Sequence, residues 1–276
     1  MKSSVIEPAL SDASRMRITQ YLAKPAHAVL LEGPVGIGLY TIAQYIARML
    51  KAMPDSIQTI SSDEKGTITI ERIRSLYALT RARQSEARVV IIDDADSMGI
   101  PAQNALLKLL EEPTAHTYFI LTSHTSQTIL PTITSRTQKL TLTPLSNANS
   151  EALITTTNAS ARAQIAFLAS GLPAEIVRLQ SDASYFSRAT ELMKDARQFL
   201  QGSQYERLVI VNSYSSKRPH AIAFLSYLLK LQTFMLFRQK KTEYARDLEM
   251  VDTILARIAA NGHIKTQLAY LVTKLS

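Results

Sequence analysis

Two stretches of the chain combine residue types and spacing suited to nucleotide chemistry. The first is Glu32-Gly33-Pro34-Val35-Gly36-Ile37-Gly38, a glycine-rich turn. It follows a short apolar run, Ala28 to Leu31, and precedes Leu39 to Leu50, where apolar residues at 39, 42, 43, 46 and 50 keep a helical period. Strand, glycine turn and helix are the frame of a phosphate-binding loop, whose backbone amides cradle phosphates. The second stretch is Val89-Val90-Ile91-Ile92-Asp93-Asp94-Ala95-Asp96. Four consecutive β-branched apolar residues predict a strand buried on both faces of a parallel sheet. Asp93 and Asp94 then fall at its carboxyl end, the edge where open α/β sheets bind ligands. In nucleoside triphosphatases the first such acid holds a hydrated Mg²⁺ and the second polarises water.

The loop has the shape for this chemistry and lacks its charge. In the pattern G-x-x-x-x-G-K-[ST] the lysine reaches the terminal phosphates and the hydroxyl ligates Mg²⁺. Gly33, Gly36 and Gly38 are in register, but Leu39 stands at the lysine position and Tyr40 at the hydroxyl position. Thr41 is one residue late, and one residue on a helix turns a side chain by about 100°. Two readings stand: the amides hold nucleotide weakly, or the glycines serve only as a tight strand-to-helix turn. Independent ATP hydrolysis is not expected under either. Asp94 is shorter than the glutamate usual at a water-activating position, and Asp96 is expected to anchor the following loop.

Alternating strand and helix patterns run through residues 1 to 143. Strands are predicted at Ile57 to Ile60, Tyr118 to Thr122 and Gln138 to Leu142. Helices are predicted at Met16 to Leu22, Glu71 to Gln84 and Pro101 to Glu112, with a short helix or turn at Ile129 to Ile133. That alternation predicts a parallel sheet covered on both faces. After Thr143-Pro144 strand signals nearly vanish. Ser150 to Gln180 reads as a helical unit broken at Gly171-Leu172-Pro173. The remainder is helical with breaks near Gly202, Ser213 to Pro219 and Gly262, and Leu208 to Val211 fits a helix better than a strand.

The chain has 276 residues, a net charge of +8 and no cysteine. Disulfides, thiolate metal sites and a catalytic thiol are thereby excluded. His27, His116, His124, His220 and His263 show no metal-ligand spacing, so each is expected in a core or surface role and no metal site is expected. Met1 to Arg17 has no apolar core of a signal peptide. Ala221 to Phe237 is the most hydrophobic window, interrupted by Lys230 and Gln232. It reads as a buried helix short of the ~20 apolar residues of a membrane span, so no membrane partner and a cytoplasmic location are expected. Positive charge suits an acidic partner such as nucleic acid. Arg72, Arg74, Arg81 and Arg83 on one predicted helix are either a solvated face or phosphate contacts.

Four motifs occur in order: Gly33 to Gly38, Asp93-Asp94-Ala95-Asp96, Ala102-Gln103-Asn104-Ala105-Leu106-Leu107-Lys108-Leu109-Leu110-Glu111-Glu112-Pro113, and Ile133-Thr134-Ser135-Arg136-Thr137. Together they resemble the AAA+ clamp-loader subunits of the bacterial replicative DNA polymerase (DNA polymerase III), the delta-prime type above all. The leucine-rich helix ending in Glu-Glu-Pro is the most specific piece, and the likeness covers roughly residues 15 to 143. It implies an α/β plus all-α protein of three parts: an AAA+ parallel-sheet domain with a degenerate phosphate loop at 1–144, a small helical lid at 145–184 and a helical collar for oligomerisation at 185–276. Thr122 would be the first sensor residue. Gly33, Gly36, Gly38, Thr41, Asp93, Asp94 and Thr122 would form the degenerate nucleotide site.

By the same resemblance Arg136 would act in trans, presenting a guanidinium to ATP and Mg²⁺ held by the neighbouring subunit, where fixed positive charge stabilises the transferring phosphate. No cofactor would be required by this chain itself. Its partners would be gamma/tau-type ATPase and delta subunits, the sliding clamp and primed DNA. The chain departs from the family in three ways: it lacks the four-cysteine zinc module, Thr137 replaces a cysteine after Arg136, and the lid has no sensor arginine beside Gly171, Arg178 coming a turn late. The expectation is a subunit that completes the ring without hydrolysing ATP. An active AAA+ motor subunit and a stand-alone AAA+-derived DNA-binding adaptor are the alternatives.

Overall fold

The computed structural model describes residues 7–50, 52–64, 66–81, 87–238 and 244–275. It divides into two compact units, residues 1–181 and 182–276.

The first unit is built on five parallel strands: β1 (Ala28–Glu32), β2 (Ile57–Ile60), β3 (Arg88–Ile92), β4 (Thr117–Ser123) and β5 (Gln138–Thr141), in the spatial order β2-β3-β4-β1-β5. The central strands read as continuous apolar runs because both faces are covered. Alternation of side chains along each strand divides them between two cores. On one face Leu30, Val90, Ile92, Phe119 and Leu121 pack with Ile73 and Leu76 of α3 (Ile70–Arg81) and Leu106 and Leu110 of α4 (Ile100–Glu111). On the other face Val29, Leu31, Val89, Ile91 and Ile120 pack with Ile18 and Tyr21 of α1 (Asp12–Ala23) and Ile42 and Ile46 of α2 (Leu39–Met49). The predicted strands are therefore present within a residue or so at each end. Pairing of Glu32 with Ser123 on one side and Thr141 on the other brings the carboxyl ends of β1, β4 and β5 level.

The short α5 (Pro131–Thr134) precedes β5, and α6 (Asn147–Leu153), α7 (Ala159–Ala169) and α8 (Pro173–Ser181) complete this unit. The turn from α7 into α8 depends on Gly171. Its φ is +82°, and a Cβ there would lie 2.6 Å from the Leu145 carbonyl, which no side chain tolerates. The Leu145 amide donates back to the Gly171 carbonyl at 2.8 Å.

The second unit is all helical: α9 (Ala183–Gln201), α10 (Gln204–Tyr214), α11 (Arg218–Arg238), α12 (Tyr244–Ala259) and α13 (Ile264–Lys274). Leu208 to Val211 is helix, as the pattern favoured. Ser203 and Glu206 form a reciprocal capping box that starts α10. By length and composition alone Arg218–Phe237 is long and apolar enough to cross a membrane, so Lys230 and Gln232 do not disqualify it as the sequence reading held. One third of that window is buried within the protein. Its buried side chains include Phe224, whose ring meets Phe199 edge-on at 5.6 Å and stacks on Tyr214 at 4.6 Å.

Arg207 is a buried cation in this unit. It donates to the carbonyls of Phe199 (3.0 Å) and Leu200 (3.4 Å) in the last turn of α9 and to that of Leu275 (2.9 Å) just beyond α13. Helix ends leave such carbonyls unpaired, and a guanidinium also complements the negative pole of the dipole. Arg207→Met is expected to lower stability by roughly 2–4 kcal/mol, because it orphans buried acceptors. Urea unfolding measures this; an unchanged midpoint would show that the carbonyls find other donors.

Candidate functional site

The site lies at the carboxyl edge of the sheet. Steric demands of the glycine loop explain its residues. Gly36 and Gly38 both have φ of +89°, a conformation costly for side chains, and Gly38 starts α2. Leu39, at the lysine position, is 4% exposed and belongs to the core beneath α2. Tyr40 points outward, where its hydroxyl accepts from Gln44 Nε2 at 2.6 Å, and Thr41 is exposed on the same helix. Neither a cation nor a metal-ligating hydroxyl from the start of α2 faces the loop.

The loop is closed by the chain itself. The Gly36 carbonyl accepts from the amides of Ala174 (2.9 Å) and Glu175 (3.2 Å) in the first turn of α8. A Cβ on Gly36 would come within 3.2 Å of the Glu175 Cβ, so a larger residue would push α8 away. Free helix N-terminal amides attract phosphate. Here two of them are satisfied by a backbone carbonyl, and the acid Glu175 sits among them.

At the ends of β3 and β4 a tight polar network forms. Thr122, fully buried, donates its hydroxyl to Asp93 Oδ1 at 2.7 Å and accepts from the Asp94 amide at 2.9 Å. That second bond accompanies a left-handed Asp94, with φ of 53°. His124 joins this network to the loop. Its Nδ1 lies 3.0 Å from the Gly33 carbonyl, which can only accept, so Nδ1 carries a proton; its Nε2 is 3.5 Å from Asp94 Oδ1. Burial raises the Asp93 carboxyl above its ordinary range; the Thr122 hydroxyl opposes this, Asp94 adds to it and His124 opposes it. Beside the loop, burial would likewise raise Glu32, but donors from Lys139 and Ser126 outweigh it and hold that carboxyl low. Asp96 Oδ1 is buried and has no hydrogen-bond partner among the described residues, so that oxygen does not anchor the loop.

Asp93, Asp94 and Thr122 are thus brought together and linked through His124 to Gly33, while Gly36 and Gly38 sit farther along the loop under α8. Thr41 joins neither group. Among the described residues no cluster of three His, Asp or Glu could hold a metal ion. ATP with Mg²⁺ does not fit this edge as built. Leu39 is packed in the core, the Gly36 carbonyl and α8 engage each other, and Asp93 is committed to Thr122.

Arg136 lies apart from this network, just after α5. Its Nη2 meets Glu111 Oε1 at 2.9 Å, and Nη1 donates to the Thr132 carbonyl at 3.0 Å. Both partners of the ion pair stay half-exposed. Gln103 of α4 fixes the segment leading there. Buried, it donates to the carbonyls of Met98 (3.0 Å) and Thr128 (2.9 Å) and accepts from the Leu130 amide at 2.7 Å. Sequence reading assigned no role to Gln103 and only a core or surface place to His124. Arg72 and Arg74 are exposed, and Arg72 donates to the Ser61 carbonyl; Arg83 and the Arg81 side chain fall outside the described residues.

A five-stranded parallel sheet in this order, with a glycine loop after β1, acids after β3 and a hydroxyl at the end of β4, defines an AAA+ fold. A gamma subunit-related protein of DNA polymerase III from Thermotoga maritima shares it, with a TM-score of 0.59 at 17% identity over 95% of this chain and 98% of that one. Residues 51–146 match the family described as DNA polymerase III, delta subunit. The chain is 32% identical over 138 residues to DNA polymerase III subunit delta' of Pseudomonas aeruginosa, covering 41% of this chain and 42% of that protein. It is also 32% identical over 134 residues to the gamma/tau subunit of Mycobacterium bovis, covering 40% and 23%. These alignments span less than half the length of the curated relatives. Within that span the resemblance to delta-prime-type subunits stands.

The raised Asp93 carboxyl sets a pH dependence. A carboxyl raised on folding favours the fold while protonated, and that contribution is lost as pH rises from the unfolded value through the folded one. Asp93→Asn stays neutral and still accepts from Thr122. Its melting temperature relative to wild type is expected to rise as pH increases from about 4 toward neutral, through the raised Asp93 range. A constant difference across that range would contradict the assignment.

Proposed function

We propose that this chain is a non-hydrolysing, delta-prime-like subunit of a DNA polymerase III clamp loader. It completes an AAA+ ring and supplies Arg136 in trans to ATP bound by its neighbour. The observation that carries this reading is Leu39: the position that needs a phosphate-binding lysine is filled by a core side chain, in a loop that otherwise keeps its glycines. A loop of that kind preserves the AAA+ frame without the charge for catalysis. Residues 1–144 would form the AAA+ domain, 145–184 the lid and 185–276 the collar. The partners would be gamma/tau-type ATPase and delta subunits, with the sliding clamp and primed DNA as what the assembly acts on, in the cytoplasm.

The setting of Arg136 suits a trans role. An ion pair this exposed is worth at most about 1 kcal/mol, so a neighbour's phosphates can displace Glu111 from the guanidinium at little cost. Gln103 holds the preceding segment while Arg136 itself remains at the surface. The motor-subunit alternative requires a catalytic lysine and a Mg²⁺-ligating hydroxyl, and Leu39 and Tyr40 argue against it. The adaptor alternative requires DNA binding without ring assembly.

Reconstitution with the cognate gamma/tau-type and delta subunits tests the proposal. Arg136→Ala is expected to leave assembly intact and lower clamp- and DNA-stimulated ATP hydrolysis severalfold. An unchanged rate in an intact ring would make the subunit purely structural. Failure of the wild type to assemble would favour the adaptor.

A further inference from the structure

We propose that the groove between α12 and α13 binds a single strand of nucleic acid, with cations on its phosphates and Tyr270 stacked on a base. The site lies in the helical unit and does not rest on the clamp-loader reading. Charge is the first observation. Residues 182–276 contain fourteen Lys and Arg against eight Asp and Glu, so this unit carries +6 of the chain's +8.

Geometry is the second. Arg246, Arg257, Tyr270 and Lys274 line one open cavity of about 480 Å³. Arg246 and Arg257 are eleven residues apart on α12, so they share a face at about 16 Å separation. Lys274 follows Tyr270 by one turn on α13. The Tyr270 ring is 47% exposed, and all three cations are exposed and make no ion pair among the described residues. Two acids also line the groove. Asp247 is 3% exposed and already engaged, which leaves Glu249 as the exposed carboxylate facing three cations.

This arrangement fits a phosphodiester strand. Backbone-tracking cations interleaved with an aromatic platform are how single strands are held without sequence preference. An acidic peptide would use the cations but would gain nothing from an exposed ring suited to a base.

Fluorescence anisotropy of a labelled 12-nucleotide oligothymidylate on the full chain tests the proposal, alongside an abasic strand of equal length and a polyglutamate competitor. Tyr270→Ala is expected to weaken binding roughly tenfold and to abolish the preference for thymidine over the abasic strand, while Tyr270→Phe retains both. Arg257→Ala with Lys274→Ala is expected to lower the salt slope by about 1.4, two phosphates at about 0.7 each for a single strand. Thermal melts confirm that the variants fold. Wild-type binding by Tyr270→Ala and by the double variant would overturn the proposal and place any DNA contact elsewhere. Equal binding of both strands with ready displacement by polyglutamate would also overturn it, in favour of an acidic-peptide groove, as would no binding at all.

Discussion

The acceptance of two α8 amides by the Gly36 carbonyl ties the glycine loop to the helices that follow the sheet. The contact depends on small residues at both ends. Gly36 needs a positive φ and would crowd a Cβ against Glu175, while Gly171 lets the chain turn tightly enough past Leu145 to bring α8 there. In a working phosphate loop, amides and a lysine would face an anion at this place. Here the positive pole of a helix meets a neutral carbonyl, and Leu39 contributes apolar packing beneath it. Under the proposed reading, the frame of a nucleotide site serves here as an internal joint.

The ends of β3 and β4 show a similar conversion. Asp93 and Asp94 stand where the resemblance would put a metal-binding and a water-activating acid, yet the first is held by the Thr122 hydroxyl and the second faces His124. A half-buried carboxyl that accepts from a neighbouring hydroxyl is engaged within the fold. It is poorly placed to take a hydrated cation without giving up that bond. Through His124 the same network reaches the Gly33 carbonyl, so the strand ends and the glycine loop brace each other.

Much of this was legible in the sequence because it follows from local pattern. Four β-branched residues in a row made β3 unambiguous, and the register of three glycines made the absence of lysine at Leu39 visible without coordinates. Non-local polar contacts were not legible. His124 bonds to a carbonyl 91 residues away, and Gln103 reaches an acceptor and a donor on a loop more than 20 residues on. A lone histidine or glutamine carries no periodic signal, and its importance comes from burial and partners that only the fold supplies. Asp96 is similar: an acid after a strand suggests an anchor, but its buried Oδ1 meets no donor among the described residues. The apolar α11 could be read as helix from its composition, whereas which third of it is buried depends on α9 and α12 packing around it.

Under the proposed function this loop no longer serves nucleotide. Isothermal titration of Mg–ATP into the purified chain tests it most directly, with binding to the reconstituted motor subunit as the positive control. The expected result is no saturable heat for this chain at concentrations that saturate the control. Saturable binding at comparable concentrations would contradict the claim, because it would require α8 to leave the Gly36 carbonyl and the amides to hold phosphate without a lysine.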